Sequence, residues 1–175
     1  MTLLLMIVIT MFAAVFQSLL PSLPFLGGAR APVVLGAVMY YALTRERGLV
    51  LAVGLLAGIF EDALSSRMPM GCHSFLYVLV GLYINRYREK FFGNHWLTHM
   101  FLGVIACTAV TVGTFILLMI RSRLEEGALA FAMPFTGMLV MASGVILMGL
   151  AVIPITFKLI ERLDYKLGNI ELREI

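Results

Sequence analysis

Charged residues are scarce in this chain of 175 residues: they make up 13% of it, against 61% from the apolar set, and the mean hydropathy is +0.99. Soluble globular domains are about one quarter charged and about half apolar, so this composition excludes an ordinary soluble domain. It also excludes an intrinsically disordered chain, which requires low hydrophobicity and high net charge. The expected solvent for much of the surface is therefore a lipid bilayer.

Cysteines and catalytic motifs are also few. The only cysteines, Cys72 and Cys107, are far apart and lie in or beside apolar segments, so neither a disulfide framework nor a metal site is expected. No nucleophile stands beside a base, and no G-x-x-x-x-G-K-[ST] phosphate loop is present. The 13 basic residues are spread over short connectors rather than clustered, which argues against nucleic acid as a ligand. We expect no enzyme activity and no cofactor.

Long apolar runs dominate what remains. A helix needs roughly 20 mostly apolar residues to cross a hydrocarbon core about 30 Å thick. Six candidate spans are separated by proline, glycine or charge, at residues 3–20, 28–43, 48–65, 71–85, 97–120 and 133–157. The prediction is an all-α integral membrane protein with about six transmembrane helices, comprising a membrane domain (1–157) and a charged cytoplasmic tail (158–175). Because the second candidate is short, a re-entrant segment and five spans is the alternative.

The basic residues predict the orientation, because Lys and Arg are retained on the cytoplasmic side of a membrane. With six spans, four of the 13 basic residues lie on one side and nine on the other. The nine are Arg45, Arg47, Arg86, Arg88, Lys90, Lys158, Arg162, Lys166 and Arg173. Both termini are therefore expected on the cytoplasmic side.

Two adjacent acids, Glu61 and Asp62, lie near the end of the third candidate span. A carboxylate within a span is costly and usually faces a protein interior or a water-filled cavity. Gly54, Gly58 and Asp62 recur every four residues, so they share one helix face, which Ser65 continues. Small residues on such a face allow another helix to approach closely. This pattern predicts a partner-binding face or a polar pocket.

His73 follows Gly71 at the start of the fourth candidate span, close in sequence to Asp62 across the same turn. Either it donates a hydrogen bond to an acid there, or it is a helix-end histidine without such a role. The two acids likewise have an alternative, in which they lie at the membrane interface and pair with Arg67 or with water. The hypothesised site consists of Gly54, Gly58, Glu61, Asp62, Ser65, Gly71 and His73.

The segment from Gly54 to Gly81 resembles the central signature of the rod shape-determining protein MreD family. The matching positions are Gly54, Gly58, Asp62, Ser65, Pro69, Gly71, His73, Tyr77 and Gly81. Proteins of this family are similar in fold to the substrate-binding subunits of energy-coupling-factor vitamin transporters. The resemblance therefore implies a small helical membrane protein of that architecture.

The function implied by the resemblance is that of a scaffold in the bacterial cytoplasmic (inner) membrane. It would bind the single-span protein MreC and, through it, MreB, RodA and a penicillin-binding transpeptidase, helping to organise peptidoglycan synthesis and cell shape. The alternative is a substrate-binding subunit of an energy-coupling-factor vitamin transporter. Those subunits carry an Ala-x-x-x-Ala-x-x-x-Ala face on the first helix, where this chain has only the adjacent Ala13 and Ala14. We expect the glycine face to receive a transmembrane segment of the partner.

Overall fold

The computed structural model describes residues 2–22, 24, 29–64, 71–88, 96–124 and 135–166, and this part of the chain forms six α-helices. They are α1 (Thr2–Leu19), α2 (Val33–Thr44), α3 (Arg47–Leu64), α4 (Cys72–Arg86), α5 (Trp96–Leu124) and α6 (Phe135–Lys166). Each helix overlaps one predicted span, because apolar runs favour helix and the proline, glycine and charged separators end it. The all-helical prediction is confirmed.

Helices α3 and α4 pack antiparallel, and so do helices α5 and α6. On α3 and α4, Gly54 lies against Val78 while Gly58 lies against Ser74, so residue numbers rise on one helix as they fall on the other. On α5 and α6, Gly103 faces Ile153 and Cys107 faces Gly149 in the same sense. These small residues lie at helix contacts, where short side chains allow the helices to approach closely.

The short helix α2 is the centre of the molecule. It contacts all five other helices, and every residue from Val33 to Ala42 is buried. A helix that is apolar on all sides must be enclosed by protein or lipid, and here the protein encloses it. Its 12 residues rise about 18 Å, which is less than the hydrocarbon thickness of about 30 Å. The predicted span at 28–43 is thus a shorter core helix that begins at Val33.

Two stretches in the described part of the chain are long and apolar enough to cross a membrane, Leu97–Ile120 in α5 and Leu139–Lys166 in α6. Both expose large apolar side chains on their outer faces, such as Phe101, Ile116 and Leu147. Such faces suit contact with lipid and are consistent with a membrane protein. By length and composition, the structure supports two spans and not the predicted count of about six.

The last helix extends further than the apolar pattern indicates. α6 continues from the predicted span through residues 158–166 to Lys166, with Pro154 inside it. Ile160 and Asp164 on this extension are buried, and Asp164 contacts α2. The described part of the predicted tail is therefore a packed continuation of α6, and residues 167–175 lie outside the described part.

Candidate functional site

The glycine face of α3 is covered by α4 of the same chain. A Cβ atom on Gly58 would overlap the backbone of Ser74, and one on Gly54 would lie 3.1 Å from the Cα of Val78. The prediction of a close helix contact at these two glycines is therefore confirmed. The expectation that a partner's transmembrane segment occupies this face is wrong, because α4 already fills it.

Asp62 holds the beginning of α4. One of its oxygens, Oδ2, accepts hydrogen bonds from the backbone N–H groups of Gly71 at 2.7 Å and of His73 at 3.3 Å. The other, Oδ1, lies 2.6 Å from the ring Nδ1 of His73. The first N–H groups of a helix have no partner within the helix and carry its positive dipole end, so a carboxylate stabilises them. Asp62 therefore caps α4 from the preceding helix.

Gly71 allows this capping geometry. It precedes the first helical residue of α4 with φ 101°, in the left-handed region that side chains disfavour. Its backbone N–H donates a hydrogen bond to Asp62 Oδ2, and α4 begins at the next residue, Cys72. The glycine and the aspartate thus act together to fix where α4 starts.

Glu61, the neighbour of Asp62, contacts a different set of residues. Its carboxylate accepts a hydrogen bond from Gln17 Nε2 at 2.8 Å and another from the hydroxyl of Tyr77. The carbonyl oxygen of Gln17 in turn accepts the backbone N–H of Val34 at 2.9 Å. This network joins α1, α2, α3 and α4 through one partly buried carboxylate.

A cavity of about 480 Å³ lies beside Glu61. It is formed by the last turns of α1 and α3, the middle of α5 and the N-terminal parts of α2, α4 and α6. Its polar lining consists of Gln17, Ser18, Arg30, Glu61, His73, Tyr77, Thr111 and Thr114. The remaining wall is mostly apolar, which is the usual composition of a small-molecule pocket.

The predicted site residues therefore separate into three groups. Glu61 and His73 line the cavity, whereas Asp62 and Gly71 fix the start of α4 behind it. Gly54 and Gly58 lie in the α3–α4 contact. Ser65 lies outside the described residues.

Six of the eight polar cavity residues were not assigned to the site by sequence reasoning: Gln17, Ser18, Arg30, Tyr77, Thr111 and Thr114. Gln17 and Arg30 lie on other segments, and Tyr77 was noted only as a matching position of the resemblance. The available signal was Gln17 itself, since an amide in an otherwise apolar helix usually has a buried partner. Its partner, 44 residues away, is not visible in sequence.

A second polar cluster lies at the other end of α2. The Oδ2 atom of Asp164 pairs with Arg45 at 3.3 Å and accepts the hydroxyl of Tyr40 at 3.1 Å. Asp164 is fully buried, and its Oδ1 atom has no hydrogen-bond partner among the described residues. The cluster joins the end of α6 to the end of α2, and the sequence analysis did not predict it.

Comparison of the chain with protein-family models, with curated proteins and with solved structures gives no match. Within the described residues, no group of three His, Cys, Asp or Glu side chains is arranged to hold a metal ion. The case for a function therefore depends on the residues and on their geometry.

Proposed function

We propose that this chain is a scaffold subunit of the bacterial cell-elongation complex, of the MreD kind. In this proposal it resides in the cytoplasmic membrane and binds a single-span MreC-like protein. Through that partner it contacts MreB, RodA and a penicillin-binding transpeptidase, and it catalyses no reaction itself.

The α3–α4 hairpin is the observation that carries this proposal. The segment that resembles the MreD signature spans α3 and α4, and several of its matching residues within the described part hold the two helices together. Gly58 allows the backbone of Ser74 to approach, and Asp62 caps α4. The hydroxyl of Tyr77 donates a hydrogen bond to Glu61. A Cβ atom on Gly81 would lie 3.1 Å from the side chain of Val50, so α3 and α4 are also close there. A shared signature that has such packing roles supports a shared fold.

The proposed topology has six passes with both termini in the cytoplasm. The alternating helix directions support it, because they place the ends of α2, α4 and α6 at one end of the bundle. Arg45 and Arg88 lie together at that end, where the Arg88 guanidinium donates to the backbone carbonyl of Arg45 at 3.1 Å. Basic residues at one end favour a cytoplasmic position for that end. In this topology α2 is a short pass enclosed by the other helices.

Co-purification tests the proposal. We expect the tagged full-length chain to retain a co-expressed single-span MreC-like protein, and not an unrelated single-span protein of the same length. A reading frame for a single-span coiled-coil protein immediately upstream would supply the natural partner. Failure to retain that partner from mild detergent would contradict the scaffold proposal.

A pair of glycine variants shows whether the hairpin is needed for that interaction. Gly58→Leu should force α4 away from α3 and abolish co-purification, because its side chain would collide with the backbone of Ser74. Gly48→Leu is the matched control, since a Cβ on Gly48 meets nothing within 4 Å. Unchanged partner retention by Gly58→Leu would show that the hairpin is not required.

The cavity favours a second candidate, a substrate-binding subunit of an energy-coupling-factor vitamin transporter. Its volume of about 480 Å³ lies in the range of small-molecule pockets, and its mostly apolar lining includes several polar side chains. Co-purification with an ATPase cassette in place of a single-span partner would support this candidate. The absence of an alanine coupling face on α1 makes it the weaker of the two.

A further inference from the structure

The cavity beside Glu61 is long and mostly apolar. Along α5 it extends from Cys107 to Leu118, which corresponds to about 16 Å at about 1.5 Å per residue. Val110, Phe115 and Val145 contribute to its apolar wall. A space of this shape suits a molecule with an extended apolar body.

The hydrogen bonds around Glu61 determine which groups it presents to the cavity. The backbone N–H of Val34 can only donate, so the atom of Gln17 that it contacts must be the amide oxygen. The amide nitrogen of Gln17 therefore faces Glu61 and donates to Oε1. Glu61 thus acts as an acceptor toward a neutral donor on α1, and its second oxygen contacts the hydroxyl of Tyr77.

Glu61 forms no direct ion pair among the described residues, although the imidazole of His73 lies near enough to act on it electrostatically. The ion pairs in that part of the chain join Arg45 to Asp164 and His73 to Asp62. A carboxylate offers about four lone-pair positions, and two neutral donors leave some of them available. Because a carboxylate without a direct ion-pair partner is costly in a mostly apolar site, a cationic group placed in the cavity would be favoured.

We propose that the cavity binds a mostly apolar molecule that carries a protonated amine. The ammonium group contacts the carboxylate of Glu61, and the apolar body lies along the wall formed by α5 and α6. Such an amine belongs either to a free small molecule or to the head group of an aminophospholipid. Arg30 lines the same cavity and would pair with the phosphate in the second case. This inference does not depend on the scaffold proposal, since the cavity alone carries it.

A matched pair of probes, octylamine and 1-octanol, tests the role of the charge. We expect the purified full-length protein in detergent to bind the amine at least about tenfold more tightly than the alcohol, as measured by calorimetry. Glu61→Gln should abolish this preference, because the amide keeps the shape of the side chain and loses its charge. Glu46→Gln, at an exposed position between α2 and α3, should retain the preference.

A cavity-filling variant provides a second test that does not depend on correct folding of Glu61→Gln. Val145→Phe narrows the cavity without altering Glu61, and it should weaken binding of both probes.

Nanodiscs that contain phosphatidylethanolamine or phosphatidylglycerol, analysed by native mass spectrometry, then identify the source of the amine. Selective retention of phosphatidylethanolamine supports the lipid, and amine binding without such retention supports a free molecule. Equal binding of the two probes together with equal retention of the two lipids would overturn the proposal.

Discussion

At the scale of single residues, Glu61 and Asp62 are neighbours in the chain with separate roles. Adjacent side chains on a helix point about 100° apart, so the two carboxylates reach different neighbours. Asp62, which is 4% exposed, turns to the start of α4. Glu61 turns to α1, to Tyr77 and to the cavity. One acid stabilises the hairpin, and the other is available to a ligand.

This division predicts different costs for the two alanine variants. Asp62→Ala should lower the free energy of unfolding by about 3 kcal/mol, because it leaves the partly buried backbone N–H groups of Gly71 and His73 and the ring of His73 without their hydrogen-bond partner. Glu61→Ala should cost about 1 kcal/mol, since Glu61 is only partly buried and lines a cavity of about 480 Å³ in which its two donors have room to find other partners. Thermal unfolding in detergent measures both, with Glu46→Ala as the exposed control. Equal losses from the two variants would refute this division.

At the scale of elements, the ion pair between Arg45 and Asp164 fastens the end of α6 to α2. The side chain of Asp164 is 1% exposed and that of Arg45 is 16% exposed, so the pair is largely removed from solvent. Removing one member of such a pair leaves the other charge without compensation, which typically costs more than the pair itself contributes. The stability of the C-terminal end of α6 therefore depends on its contact with Arg45 after α2.

We predict that Asp164→Ala lowers the free energy of unfolding by about 3 kcal/mol, while Glu161→Ala, an exposed acid on the same helix, changes it little. The double variant Arg45→Ala/Asp164→Ala should lose less than the sum of the single variants, because neither charge is then left alone. Thermal unfolding of the unmodified protein, the two single variants of the pair and the double variant measures the coupling between Arg45 and Asp164. Additive losses would contradict a direct interaction.

At the scale of the whole molecule, the proposed six-pass topology makes a prediction for reporter fusions. A fluorescent reporter fused after Ile175 should fold in the cytoplasm, whereas alkaline phosphatase fused after residue 127, between α5 and α6, should be active outside it. Activity of the two reporters in the reverse arrangement would contradict the proposed orientation. An odd number of passes would place the two termini on opposite sides.

Apolar runs and their breakers predicted the six helices, because these features are local. The glycine spacing on α3 was equally local, and it correctly indicated a close helix contact at Gly58. The identity of the contacting helix was not local, and α4 rather than a partner occupies that face. The predicted second span, residues 28–43, was also longer than the helix α2 that the structure shows. Hydropathy does not distinguish an apolar helix enclosed by protein from one that crosses lipid.

Tertiary structure alone decided the cavity and the buried charge pair. Gln17 and Glu61 are 44 residues apart, and Arg45 and Asp164 are 119 apart, so no periodicity connects them. Each polar group needs a partner once packing removes it from water, and the helix arrangement determines which partner is within reach. Composition therefore determined that this chain is helical and apolar, whereas packing around α2 decided which of its few charges meet and where a ligand can enter.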